Sequence, residues 1–185
     1  MSEVRVRPAT PDDAAEIAHV QVASWRSAYR GLIADATLDA LDEGRRTDAW
    51  SEAMAQPYHV AVVAEVDGEV VGFADGGPNR AGEPPFGAFT GELNAIYLLP
   101  THQRAGIGKR LVRAFVDALR AQGHASMIVW VLETNPARAF YEALGGRLVG
   151  AAEVVIGGER YPDVAYGWDD LDALARRLEN PSTSG

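Results

Sequence analysis

The chain of 185 residues has no cysteine. Disulfides, thiolate metal sites and a cysteine nucleophile are therefore excluded. Positive charge is scarce: 17 Lys plus Arg stand against 26 Asp plus Glu, a formal charge of −9, and Lys109 is the sole lysine. Nucleic-acid binding draws its affinity from excess cations facing phosphate, so no DNA or RNA partner is expected. No apolar run approaches the roughly 18 residues that a membrane helix requires. The start Met1-Ser2-Glu3-Val4-Arg5 also lacks the apolar stretch of a signal peptide. No membrane partner is expected, and the expected location is cytoplasmic. Internal repeats are missing, and His19, His59, His102 and His124 show no metal-ligand spacing, so no metal is expected. What is present is the mix of an ordinary globular protein, 47% hydrophobic and 23% charged.

Along the chain, helix and strand signals alternate. Val4-Arg5-Val6-Arg7 has the pattern of an edge strand stopped by Pro8. Thr10-Pro11-Asp12-Asp13 supplies the cap, proline and acids of a helix start, with Ile17, Val20 and Val22 behind it. A second helical stretch is predicted over 37–54, burying Leu38, Leu41, Trp50 and Met54. Strands over 60–66 and 69–74 flank Asp67-Gly68, a strong hairpin signal. Gly76-Gly77-Pro78 begins a predicted surface loop that runs to Pro84-Pro85, and the next strand covers 92–99. From Gly106 the period becomes 3.6, with Ile107, Leu111, Phe115 and Leu119 on one face. Residues 126–132 form the continuous apolar run of a central strand. Asn135-Pro136 opens a short helix ending at Gly145-Gly146, strands over 147–156 and 160–168 flank Gly157-Gly158, and Asp169 is expected to cap a last helix. The expectation is one α/β domain over 1–179 on a mixed sheet, with a disordered tail at 180–185.

The chemistry-bearing stretch runs from Leu93 to Arg110, a strand, a short loop and a helix start. N–H groups of such a loop and first helical turn have no internal partner. Gly106 and Gly108 let a ligand approach the backbone, the helix dipole favours an anion, and Arg104, Lys109 and Arg110 add positive charge. A diphosphate-bearing ligand is the natural occupant. A Walker loop is excluded because position 103 is Gln and position 110 is Arg, and the dinucleotide fingerprint is excluded because position 111 is Leu.

Gln103-x-x-Gly106-x-Gly108 after a strand that ends at Pro100 resembles the acetyl-CoA loop of the GNAT superfamily of N-acetyltransferases. Asn135-Pro136-Ala137-Arg138-Ala139-Phe140-Tyr141 resembles that family's Asn-to-Phe-Tyr helix, and Val164-Ala165-Tyr166-Gly167-Trp168 its closing strand. The resemblance implies a central mixed, mostly antiparallel twisted sheet of about seven strands flanked by helices. It implies acetyl-CoA as cosubstrate, with the N–H groups of Arg104, Ala105, Gly106, Ile107, Gly108 and Lys109 on its pyrophosphate and Gln103 at the head of the loop. The strand Ile96-Tyr97-Leu98 would pair with the pantetheine arm, the Ile96 N–H lying near the thioester oxygen. Asn135 would line the same arm. Members generally transfer acetyl directly to an amine, so Tyr141 is expected as the acid for the leaving thiolate. Glu92, four residues before Ile96 and on the same face of a regular strand, is the candidate base through a water relay.

Each residue also has a plainer role. Tyr141 could be a packing residue, Glu92 a solvated carboxylate, Asn135 a helix cap and Gln103 a loop brace. Trp25 and Tyr29 are candidates for the acceptor site or for core, Trp130 is read as core ahead of a ligand platform, and Asp75 could attract an amine or start a turn. The expected function is acetyl-CoA-dependent N-acetylation of a small-molecule or peptide amine. The alternatives are an acyl-CoA-binding regulatory module without transfer activity and a transferase of a longer acyl group. Homodimers are common in the family, although no face of the sequence advertises one.

Overall fold

The computed structural model describes residues 3–179, and the expected tail at 180–185 lies outside them. Seven strands form one sheet: β1 (Val4–Pro8), β2 (Val60–Val66), β3 (Glu69–Pro78), β4 (Gly91–Leu98), β5 (Met127–Leu132), β6 (Arg147–Ile156) and β7 (Glu159–Trp168). Their order is β1-β2-β3-β4-β5-β7-β6. All neighbours are antiparallel except β4 and β5, which run parallel. This is the mixed, mostly antiparallel sheet expected from the sequence. The helices are α1 (Ala14–Ala28), α2 (Asp35–Asp39), α3 (Glu43–Met54), α4 (Ile107–Ala121), α5 (Arg138–Ala143) and α6 (Leu171–Glu179).

One face of the sheet is covered by α4, whose Leu111, Val112, Phe115, Val116 and Leu119 are fully buried against β2, β3 and β5 together with α5 and α6. The opposite face packs on α1 and α3 through Ile17, Val20, Trp50 and Phe73. Further along that second face, Phe89, Ile128 and Ala165 form a smaller cluster, on which Phe86 rests against Trp130 at 4.6 Å between ring centroids. No helix among the described residues is long and apolar enough to cross a membrane.

Three expectations are corrected locally. The stretch over 37–54 is two helices, because the Asp42 carboxylate accepts the Arg45 N–H at 2.7 Å and starts α3 afresh. Gly76, Gly77 and Pro78 belong to β3, not to a loop. At the first helix start Thr10 is the N-cap as expected, and Asp13 completes a capping box by accepting the Thr10 N–H at 2.6 Å. Asp169 pairs with Arg147, and it is Asp170 that caps α6 through the Ala173 N–H at 2.9 Å.

Candidate active site

Strands β4 and β5 pair only from Gly91 to Leu93 and from Met127 to Val129. Beyond those residues they part, leaving the β4 edge from Asn94 to Leu98 without a strand neighbour on that side. A cleft of about 830 Å³ occupies the gap. It runs from Ser24 and Tyr29 at the end of α1, past Asn94–Leu98 and Trp130, to the loop before α4 and the face of α5.

At one end lies the loop 103–109. Arg104 and Gly106 both take left-handed backbone angles, φ 64° and 79°. A side chain at 106 would meet no atom within 4 Å but would be strained by that angle. The first intrahelical bond of α4 is from the Arg110 N–H to the Gly106 carbonyl, at 3.3 Å. N–H groups ahead of it, in the loop and the first turn, are therefore available to a ligand at the positive end of a helix. Arg104 and Lys109 line the cleft beside them. Arg110 does not, because its guanidinium donates to the Val4 carbonyl at 2.8 Å on the far edge of the sheet. Gln103 braces the loop by donating to the Leu98 carbonyl at 3.1 Å. This chain of free donors and two cations fits a diphosphate such as that of coenzyme A, and the open β4 edge fits an extended arm.

In the middle of the cleft, Ile96 and Leu98 turn their side chains to the α4 face, while Ala95 and Tyr97 face α1. The Tyr97 hydroxyl lies 3.0 Å from that of Tyr29. Trp25 packs edge-on to Tyr29 at 4.9 Å, so it supports the cleft wall without lining it. Asn135 combines both expected roles: it lines the cleft, and its side-chain oxygen accepts the Ala137 N–H at 2.9 Å. Tyr141 projects from α5 into the same space. Burial holds its hydroxyl well above an ordinary phenol, with a smaller push from Tyr29. It therefore stays protonated, the form a general acid needs.

Glu92 is not where a regular strand would put it. Asp75 pairs with Ala95 but Gly76 pairs with Leu93, so Asn94 is an extra residue in β4. Such a bulge inverts the alternation. Leu93 and Ile96 consequently share the α4 face, and Glu92 points to the other one. There it is 5% exposed and bound by Arg80, whose Nη2 lies 3.0 Å from one carboxylate oxygen and whose own N–H is 3.1 Å from the other. Arg80 also donates to the Asn94 side-chain oxygen at 3.0 Å.

Asp75 is likewise buried behind the cleft wall. Burial pushes its carboxyl up to about 7, offset in part by Asn94 and Arg80. Asp163 on β7 is pushed up to about 6 for the same main reason. Trp130 both packs on the Phe89 cluster, as its core reading expects, and lines the cleft. Asn94 and Ser24 are cleft residues that sequence reasoning misses, since nothing in a single sequence marks the bulge or the width of the gap.

A family model of the acetyltransferase (GNAT) family matches residues 21–146. The uncharacterised N-acetyltransferase YuaI of Bacillus subtilis is 38% identical over 175 residues, 95% of this chain and 98% of that protein. Phosphinothricin N-acetyltransferase of Streptomyces viridochromogenes is 27% identical over 183 residues, 97% of this chain and 90% of that protein. Among solved structures, the PaiA N-acetyltransferase of Thermoplasma acidophilum in complex with coenzyme A superposes with a TM-score of 0.68 at 17% identity, covering 89% of this chain and 98% of that one. A parted β4–β5 pair with a donor-lined loop at its mouth is thus joined to a match over most of the sequence: the chain belongs to the GNAT family and is an acetyltransferase enzyme.

Proposed function

We propose that the protein is an acetyl-CoA-dependent N-acetyltransferase that passes acetyl directly to the primary amine of a small molecule. The observation that carries this reading is one cleft in which a run of free loop N–H groups, an unpaired strand edge and the Tyr141 hydroxyl converge. In this scheme the N–H groups of Arg104 to Lys109 hold the pyrophosphate, with Arg104 and Lys109 balancing its charge. Backbone of Ile96, Tyr97 and Leu98 grips the extended arm, and Asn135 borders it. Acetyl-CoA supplies the activated acyl group. The Ile96 N–H is placed to steady negative charge developing on the thioester oxygen. Tyr141 donates its proton to the departing sulfur.

A small acceptor is supported by the end of the cleft opposite the phosphate loop, where Tyr29, Ser24, Asn94 and Trp130 offer hydroxyl, amide and aromatic groups in a confined space. Similarity to phosphinothricin N-acetyltransferase supports an acceptor of amino-acid size. Thiol release from acetyl-CoA, measured over a panel of amino acids, amino-acid analogues and polyamines, tests the reading. At least one small amine is expected to drive release, and Tyr141→Phe should lower kcat by about 10²-fold while leaving coenzyme A affinity unchanged. Binding of acetyl-CoA with no release for any amine would instead identify a regulatory acyl-CoA-binding module. Preference for a longer thioester would identify a different acyl donor.

A further inference from the structure

An attacking amine must lose a proton, and Glu92 is already engaged by Arg80, which donates to both of its carboxylate oxygens. A second carboxylate projects from the same face of the sheet and stands closer to Ile96 along the ladder. Asp75 stands opposite Ala95 in the β3–β4 ladder, one residue from Ile96, and neighbouring strands are about 4.8 Å apart. Ala95 and Asn94 form the cleft wall on that side. Asp75 is 4% exposed, and its Oδ1 has no hydrogen-bond partner.

The titratable side chain within 4 Å of the Asp75 carboxylate among the described residues is His59, whose Nε2 is 3.9 Å from Oδ2 and is itself buried without a partner. His59 also lines a separate groove of about 320 Å³ beside β1, β2 and α4, bordered by Met54, Ala61 and Gln122. His59 thus stands between this groove and Asp75, while Asp75 lies one layer behind the Asn94–Ala95 wall of the cleft. The charged groups around Asp75 are His59 next to β2, Arg80 after β3 and Glu92 on β4, with the Asn94 amide beside them. Burial outweighs all of these and brings the carboxyl close to neutrality. It also disfavours the charged form of His59, so a proton that reaches the imidazole is passed on and not retained.

We propose that Asp75 accepts the proton released by the acceptor amine, one water removed from the cleft, and that His59 passes it to the groove beside β1. The inference rests on N-acetyl transfer in the cleft. In the step, the amine nitrogen bonds the acetyl carbon as the carbon–sulfur bond breaks. The amine proton goes to Asp75, then to His59 and solvent. Sulfur takes the Tyr141 proton, which solvent replaces, so amine and thioester become amide and free thiol.

The test is kcat at saturating acetyl-CoA and amine, followed across the neutral pH range. Wild type is expected to rise through about pH 7 as Asp75 ionises. Asp75→Asn should lower kcat by about 10²-fold and flatten that rise, with the thermal shift caused by acetyl-CoA intact. His59→Leu removes the imidazole that relays the proton and should lower kcat while leaving the rise centred at the same pH. Asp163→Asn, at the other raised carboxyl, should leave the rise in place. An Asp75→Asn enzyme within about twofold of wild type overturns the proposal alone, as does loss of the rise in Asp163→Asn. A wild-type protein that binds acetyl-CoA but turns over no amine overturns the transfer reading and this proposal together.

Discussion

Asp75 is held in a place that costs the fold stability. An ordinary carboxyl titrates near 3.8, whereas burial brings this one to about 7. The folded protein therefore holds a proton there that the unfolded chain has lost, and stability falls as pH rises between those two values. Below about 3.8 both states are protonated and the penalty vanishes, while above about 7 it is complete. A tenfold change in a protonation equilibrium is worth about 1.4 kcal/mol, so the full penalty is of the order of a few kcal/mol. Asp75→Asn should accordingly raise the melting temperature at pH 8 and leave it nearly unchanged at pH 4. Equal effects at both pH values would show that the carboxyl is not strained by burial. A variant that is both more stable and less active would mark Asp75 as a residue kept for its chemistry. At this scale the motif residues are legible in the sequence. Gly106, Asn135 and Tyr141 stand in the cleft as the family resemblance implies. Asp75 reads from sequence as a substrate contact but lies one layer behind the wall, since burial arises from strands distant in sequence. His59 gives no signal at all, because its partner is met only after β2 and β3 pair.

The decisive element is the irregular β3–β4 pair. Gly76 makes it possible: a Cβ at that position would sit 2.0 Å from the Glu92 carbonyl oxygen and 2.8 Å from the Phe115 ring. The clash is with backbone, which cannot swing aside as a flexible side chain would. Gly76→Ala is expected to destabilise the protein by about 3 kcal/mol, measured by urea unfolding. A loss below about 1 kcal/mol would mean that the strands spread without penalty. The same irregularity explains why the sequence pattern alone puts Glu92 on the wrong face. Period-two alternation fixes facing only in a regular strand, and one extra residue at Asn94 reverses it. Elements with strong local signals are readable. The hairpin at Asp67-Gly68 takes the two positive backbone angles its residues favour, φ 52° and 90°. Helix α4 buries the predicted stripe. The break between α2 and α3 is harder, because Asp42 acts as a cap only when the chain before it turns away.

At the scale of the whole molecule, function follows from one departure from a continuous sheet. Seven strands are aligned across two helical layers, and only the parallel pair at the centre comes apart. The opening exposes an unpaired edge inside the protein, where a ligand can take the place of a strand, and the loop before α4 sets donors at its mouth. In a chain with a formal charge of −9, Arg104 and Lys109 make that mouth a local positive site. The fold class is legible from element order, whereas the parting of β4 and β5 is implied only by the family motifs. Thermal unfolding with and without acetyl-CoA, with ATP and NAD as controls, tests the central claim most directly. Acetyl-CoA at about 100 times its dissociation constant should add about 2.7 kcal/mol. For a domain of this size that is a rise of about 5–10 °C in Tm, with little from either control. No rise with acetyl-CoA, or an equal rise with ATP, would contradict the assignment of the cleft.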